Sequence, residues 1–409
     1  MIETPPATAS ERRPQRNPAA RALALAFPLT LGILMASRGT RLAHRSRPVA
    51  APAAPRRSAR VIVLVPAYRE VDSLPHVLEA LHRQTRPADR VIVTLDPHEE
   101  SRRTAELEQM AQAAGAEVWH SVGNRHKKAG NLNGALGRLL PEVSDQDAIL
   151  VQDADTYLDP QFIEVTRRKM EQGFGAVGGN FRGRPGGRLC GAFQRNEFAR
   201  YARDTARKKG KVLCLTGTAC LFKAGALKDV LAARTSGRLP PAEGVYDTKA
   251  LTEDNELTLA LKHLHHRVVA PSRATMTTEV METWKALAKQ RLRWKRGALE
   301  NLIDYGVTRY TTEGWARQVV AFLGASVSTA YVGSVIWFLT VGSGLTIAPF
   351  WIVFTGFYAI ERAVTVKSRG WRVSIASMLV LPEWFFDLFL QGVHIRALAD
   401  TALRRDRRW

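Results

Sequence analysis

Four short apolar runs, each closed by charged or turn-forming residues, punctuate the first third of the chain: Val61–Val65, Val91–Leu95, Ala116–Trp119 and Ala148–Gln152. Runs of that length read as buried strands. Between them lie longer, helix-like stretches from Leu74 to about Gln84, from Ser101 to Ala114, and after Lys127. Strands alternating with helices predict an α/β domain around a mostly parallel, doubly wound sheet. Farther on, Leu215–Phe222 reads as a small-residue turn between apolar pieces. Thr252 stands where an N-cap would open a helix, with Glu253 and Asp254 in its first turn, and Thr283–Asp304 is a long amphipathic stretch.

Two other regions are apolar without that alternation. Ala22–Ser37 is an uncharged stretch between arginines. At about 1.5 Å per residue it spans roughly 24 Å, so snorkelling arginines would be needed to complete a crossing of the roughly 30 Å hydrocarbon layer. It reads as a membrane anchor rather than a cleaved signal, because no small-x-small cleavage site precedes the basic run. Ala316–Val341 and Leu345–Arg362 read as a membrane hairpin turning at Gly342-Ser343-Gly344, with Pro349 placed to kink the second arm. A third apolar run, 374–393, is interrupted by Pro382, Glu383 and Asp387 and followed by five arginines; it reads as interfacial or re-entrant, since spanning would carry the basic tail across.

The chain therefore divides into a disordered N-terminus (1–21), a transmembrane anchor (22–37), a basic, proline-rich linker (38–59), an α/β catalytic domain (60–282), amphipathic interface helices (283–315), a transmembrane hairpin (316–363) and a basic loop, interfacial or transmembrane segment and tail (364–409). Arg38, Arg41, Arg45 and Arg47 after the anchor place the α/β domain on the cytoplasmic face of a plasma or inner membrane.

Charge narrows the partners. Lys and Arg outnumber Asp and Glu by 59 to 38, for a net charge of +21. Such a bias fits nucleic acid, anionic lipid or a phosphorylated substrate. No nucleic-acid-binding motif is recognisable and the arginines cluster beside the apolar segments, so nucleic acid is set aside. Three cysteines without metal-ligand spacing read as reduced thiols.

The chemistry gathers where strands end. Tyr68 and Glu70 follow the first run, Asp96 the second, and Asp153 and Asp155 the fourth. In open α/β sheets, ligands bind at those carboxyl ends. Two carboxylates at i and i+2 repel each other unless a cation joins them, and Mg²⁺ or Mn²⁺ with phosphate oxygens suits that place. Neither G-x-G-x-x-G after the first strand nor G-x-x-x-x-G-K-[ST] is present, which argues against a dinucleotide enzyme or a P-loop nucleotidase.

Together, Pro66-Ala67-Tyr68-Arg69-Glu70, Asp96, Lys128-x-x-Asn131-Leu132-Asn133, Asp153-Ala154-Asp155, Thr252-Glu253-Asp254 and Gln290-Arg291-Leu292-Arg293-Trp294 resemble the processive family 2 glycosyltransferases. That group includes cellulose, hyaluronan and poly-N-acetylglucosamine synthases, and the last branch is the most similar in local phrasing. The resemblance covers about residues 60–300 and implies a GT-A fold, a UDP-sugar donor, a divalent cation (Mg²⁺ or Mn²⁺) and inversion at the sugar C1. It implies donor binding by Tyr68, Glu70, Asp96, Lys128, Asp153, Gln290 and Arg293. It also implies metal ligation by Asp155 with Asp153, Asp254 as general base with Glu253 beside it, and acceptor stacking on Trp294. Asp96-Pro97-His98 lacks the paired acid often found at that strand end, so the uridine contact there rests on Asp96 alone. The expected activity is polymerisation of N-acetylglucosamine or glucose from UDP-N-acetylglucosamine or UDP-glucose onto a growing glycan at the membrane lipid. The alternative is a non-processive GT-A enzyme acting on a lipid-linked acceptor. Whether a second copy or an accessory export protein completes a secretion path is left open.

Overall fold

The computed structural model describes residues 59–96, 102–341 and 349–406. The N-terminal stretch, the anchor at 22–37, nearly all of the linker, Pro97-His98 and the Gly342–Gly344 turn lie outside the described residues. Among the described residues there are ten strands: β1 (Val61–Ala67), β2 (Arg90–Leu95), β3 (Glu117–His120), β4 (Ala148–Gln152), β5 (Tyr157–Leu158), β6 (Ala176–Gly178), β7 (Asn180–Gly183), β8 (Ala219–Lys223), β9 (Val268–Val269) and β10 (Thr275–Thr278). Seven form one sheet in the order β3-β2-β1-β4-β8-β6-β9, and β5, β10 and β7 form a small second sheet.

The first four strands run parallel, as the alternation predicts, with Val63 opposite Val91 and Leu150. The doubly wound parallel pattern ends there. β8 enters antiparallel to both β4 and β6, so the sheet is mixed. Thr216-Gly217-Thr218 interrupts the apolar run before β8, which is why the sequence pattern reads as a turn what is in part a buried strand.

Successive residues of β1 face opposite sides of the sheet. Ile62 and Leu64 pack with Ile149 and Val151 on one face, and Val61, Val63 and Val65 with Leu150 on the other. Helices α1 (Leu74–His82), α2 (Arg102–Ala113), α3 (Lys127–Leu139), α4 (Phe162–Glu171), α5 (Arg188–Arg207), α6 (Ala224–Thr235) and α7 (Glu253–His263) follow in chain order. α1, α2 and α4 cover the second face through Leu74, Leu107 and Phe162; α3, α6 and α7 cover the first through Leu132, Leu227 and Leu257. With both faces buried, the strands can be continuously apolar.

The amphipathic stretch is α8 (Trp284–Tyr305), opened by Thr283, whose hydroxyl accepts from the Ala286 N–H at 3.2 Å. Next come α9 (Thr312–Thr340) and α10 (Pro349–Thr365). Pro349 is the first described residue of α10. Among the described residues no helix is long and apolar enough to cross a membrane.

The run at 374–393 divides between α11 (Trp371–Ala376) and α12 (Val380–Ala402), and α12 lies along α8. There Arg296 of α8 donates to the Arg405 carbonyl, just beyond α12, at 2.6 Å. Glu383, 2 % exposed, accepts from Asn196 of α5 at 2.9 Å and pairs with Arg200.

Candidate active site

The candidate residues stand at the carboxyl ends of β1, β2 and β4. After β1, the Glu70 carboxylate accepts from the backbone N–H groups of Tyr68 (2.7 Å) and Arg69 (2.9 Å), fixing the loop. Tyr68 is 44 % exposed, with the Arg69 guanidinium 4.8 Å from its ring centroid. Ser73 ties this loop to the acidic turn after β4 by donating to the Ala154 carbonyl at 2.8 Å. Asp155 in that turn accepts from the Thr156 hydroxyl at 3.2 Å.

Asp96 ends β2, where its carboxylate accepts from the Ser121 hydroxyl at 3.0 Å and the Asn124 amide at 2.5 Å. Asn124 also accepts from the His126 N–H at 2.9 Å, shaping the entry to α3. A Cβ on Gly130 would lie 2.1 Å from the Asn124 side-chain oxygen, so this approach requires glycine. Of the two asparagines in the Lys128-x-x-Asn131-Leu132-Asn133 motif, Asn131 donates to the Thr94 carbonyl (3.2 Å). Asn133 exchanges two 2.8 Å bonds with the Tyr246 backbone. Both hold α3 in place.

Lys128 is the centre of the cluster. Its ammonium pairs with Asp153, donates to the Gly217 carbonyl at 3.1 Å and stands 3.9 Å from Glu253. Gly217 then donates its N–H to Asp254 at 2.8 Å, and Asp254 also accepts from the Asn255 N–H at 2.8 Å. Lys128 and Asp254 thus meet at the backbone of one residue, Gly217, in a stretch whose pattern reads as a turn, and Lys128 brings Asp153 and Glu253 to the same place. A Cβ there would come within 3.2 Å of the Asp254 carboxylate, so small size is the signal for Gly217.

Electrostatics follow from crowding. Burial alone would depress the Lys128 ammonium, but Asp153, Glu253 and Asp254 surround it and hold it above its ordinary value. Burial and the neighbouring Glu253 push Asp254 up to about 6, against the pull of Lys128 and two backbone N–H groups. Asp155 is raised, first by burial, with Glu70 adding repulsion.

The α8 motif is arranged differently. Arg293 is exposed, whereas Arg291 is 2 % exposed, pairs with Glu197 at 2.7 Å and lies 4.3 Å from the Trp294 ring centroid. Gln290 accepts from Arg291. Among the described residues, no hydrogen bond joins Gln290, Arg293 or Trp294 to the carboxylate cluster; α8 reaches it through Asn301, which donates to Thr252. Sequence reasoning had no signal that separated Arg291, Glu197 or Asn301 from other polar helix residues.

The donor set at Asp153 and Asp155 is carboxylate oxygen, the chemistry Mg²⁺ and Mn²⁺ prefer. Among the described residues no group of three or more His, Cys, Asp or Glu could hold a metal ion unaided. A cation at Asp155 would therefore draw its remaining ligands from phosphate and water, which fits a diphosphate substrate and not a resident structural metal.

A mixed sheet with a carboxylate-lined crevice at its strand ends is the GT-A fold of glycosyltransferases. The chain belongs to the glycosyltransferase-like family 2, whose model matches residues 58–297, more than half its length. It is 26 % identical over 261 residues to the poly-β-1,6-N-acetyl-D-glucosamine synthase of Staphylococcus epidermidis, covering 59 % of this chain and 60 % of the relative. To the synthase of the same name from Staphylococcus aureus (strain MSSA476) it is 25 % identical over 267 residues, covering 64 % and 60 %. The chain thus spans about 60 % of the length of the curated relatives it matches. Among solved structures, the mannosyltransferase PcManGT from Pyrobaculum calidifontis, in complex with GDP-Man and Mn²⁺, superposes with a TM-score of 0.55. It is 16 % identical and covers 95 % of this chain and 100 % of its own.

Proposed function

We propose that this glycosyltransferase is a membrane-bound, inverting, processive enzyme that polymerises N-acetylglucosamine or glucose from a UDP-sugar. The observation that carries the reading is the meeting of Lys128, Asp153, Glu253 and Asp254 at Gly217, at the same strand ends that carry Tyr68, Glu70 and Asp96. The name shared by the two staphylococcal relatives supports polysaccharide synthesis and favours N-acetylglucosamine.

In this reading the uridine lies among Tyr68, Glu70 and Asp96, and Lys128 neutralises Asp153 at the diphosphate. Gln290 and Arg293 serve the pyrophosphate end and Trp294 the acceptor sugar, whose apolar face suits an indole. Asp155, with Asp153, would hold Mg²⁺ or Mn²⁺, which supplies positive charge to the departing diphosphate. Asp254 accepts the proton of the acceptor hydroxyl, whose oxygen bonds to the sugar C1 as the bond from C1 to the diphosphate oxygen breaks and UDP departs. One displacement inverts the centre. A base with a pKa near 6 is poised for that transfer at neutral pH.

Attachment to a membrane is supported by exposed apolar side chains on the C-terminal helices, including Val327 (69 %) on α9, Val353 (73 %) and Phe357 (71 %) on α10, and Leu381 (65 %) on α12. Apolar surface of that extent needs a covering layer. Trp371, 69 % exposed with Arg372 beside its ring at 5.4 Å, has the composition of a bilayer interface. The cytoplasmic placement of the catalytic domain rests on the arginines after residue 37.

The test is incorporation of radiolabelled UDP-N-acetylglucosamine, and separately UDP-glucose, by membranes carrying the full chain. The expected result is label in high-molecular-weight polymer from one donor. Label confined to a single sugar on a solvent-extractable lipid would replace this reading with the non-processive alternative.

A further inference from the structure

We infer that Arg291, held by Glu197, is a positioning residue that orients Trp294 for the acceptor. The inference rests on the acceptor role proposed above for Trp294. Spacing alone treats Arg291 and Arg293 as equivalent basic residues of one motif. The structure separates them: Arg293 is exposed on α8, whereas Arg291 is buried between α8 and α5.

From that place Arg291 makes two hydrogen bonds and two ring contacts. One Nη donates to Glu197 Oε2 of α5 at 2.7 Å, and the other donates to the side-chain oxygen of Gln290. The guanidinium carbon lies 4.3 Å from the Trp294 ring centroid and 5.9 Å from that of Phe198. One cation therefore touches both Gln290 and Trp294, the two ends of the motif, and is anchored from a different helix. Residues three apart on a helix share a face, so Arg291 and Trp294 meet without distortion.

Stability is a poor reason to bury such a group. Replacing a buried ion pair by apolar residues of similar volume is often neutral or favourable. Here the Arg291 Nε is buried without a hydrogen-bond partner, which adds to the cost. What the arrangement does fix is orientation. A planar guanidinium can stack on an indole while its fork bonds a carboxylate and an amide, and an ammonium cannot do all three. Arg291 covers one face of the Trp294 indole; in the acceptor reading the pyranose ring stacks on the other.

The experiment compares Arg291→Lys with the pair Arg291→Met, Glu197→Leu, which removes the ion pair without stranding a charge. Full-length protein in membranes is assayed with a short β-1,6-linked N-acetylglucosamine oligosaccharide as acceptor probe. UDP binding is measured by calorimetry, and the indole environment by ¹⁹F NMR of 5-fluorotryptophan protein, the Trp294 line being assigned by its loss in Trp294→Phe. Both variants are expected to keep wild-type UDP affinity, raise the acceptor KM by roughly ten- to a hundredfold, and shift the Trp294 line. An unchanged acceptor KM in Arg291→Lys overturns the inference, since charge alone would then suffice. A parallel loss of UDP affinity and thermal midpoint overturns it too, by making the role structural. If Trp294→Ala leaves acceptor KM unaltered while Arg291→Lys raises it, the acceptor reading of Trp294 has failed, and with it this inference.

Discussion

The side-chain amide of Asn301 donates to both the carbonyl and the hydroxyl oxygen of Thr252 at 3.2 Å, and to Asn255 at 3.0 Å. Thr252 occupies the N-cap position of α7, yet its hydroxyl makes no capping bond to the helix; Asn301 has taken it. Glu253 and Asp254 follow at once. The helix that carries the Gln290–Trp294 motif is thereby joined to the helix that carries the proposed base.

That joint leaves no room at Gly297. A Cβ there would stand 2.5 Å from the Thr252 hydroxyl oxygen and 3.0 Å from the Leu251 Cβ. Helix propensity favours alanine over glycine by about 1 kcal/mol, so an exposed site would gain stability. Here α8 must move off the α7 N-terminus instead. Gly297→Ala is expected to lower stability by about 1–3 kcal/mol in urea unfolding, and to reduce transfer more than UDP binding. A stabilised, fully active variant would contradict the close contact.

A second prediction concerns the base of α7. Glu256 and Arg234, with side chains 3 % and 1 % exposed, form a two-pronged pair at 2.6 and 3.2 Å, and Tyr305 donates to Glu256 at 2.6 Å. Removing one partner strands a buried charge, at a cost of about 3–5 kcal/mol. Glu256→Gln should therefore destabilise by that amount in denaturant unfolding. Arg234→Leu combined with Glu256→Leu should recover most of the loss. A double variant no better than the single one would locate the cost in packing.

How much of this was legible in the chain depended on length and distance. β1 to β4 match their apolar runs within about two residues, because each is a continuous buried stretch bounded by polar residues. β5, β7, β9 and β10 have two to four residues, too few to show a period. At the site, the motifs named Lys128, Asp153, Glu253 and Asp254, but the glycine at which Lys128 and Asp254 meet was not legible. Gly217 lies 89 residues from Lys128 and 37 from Asp254, and only the fold brings them together. Spacing likewise could not tell buried Arg291 from exposed Arg293.

The third prediction tests the cation. Asp155 would contribute one carboxylate to a site completed by phosphate and water, so nucleotide and metal should bind interdependently. UDP affinity measured by calorimetry is expected to fall at least about tenfold in EDTA, and to return with Mn²⁺ or Mg²⁺. In Asp155→Ala neither metal should restore it. UDP binding that is equally tight in EDTA would remove the cation from this crevice.

The last prediction follows from the raised pKa of Asp254. Burial and Glu253 favour its neutral form, while the N–H groups of Gly217 and Asn255 and the charge of Lys128 favour the carboxylate; the balance lies at about 6. A general base works only when deprotonated. As pH falls through about 6 the active fraction falls with it, so log kcat should decline with unit slope below that value and level off above it. Asp254→Asn keeps the size and one of the two oxygens that accept from the Gly217 and Asn255 N–H groups, but has no proton affinity. It should cut kcat by roughly 10²–10⁴-fold, with UDP binding nearly intact and no remaining limb near pH 6. Asp254 also stands in the first turn of α7, where a negative charge contributes only about 0.3–1 kcal/mol, too little for the substitution to act by unfolding. Near-wild-type turnover in Asp254→Asn, with the limb still present, would pass the role to Glu253, which stands 3.9 Å from the same ammonium.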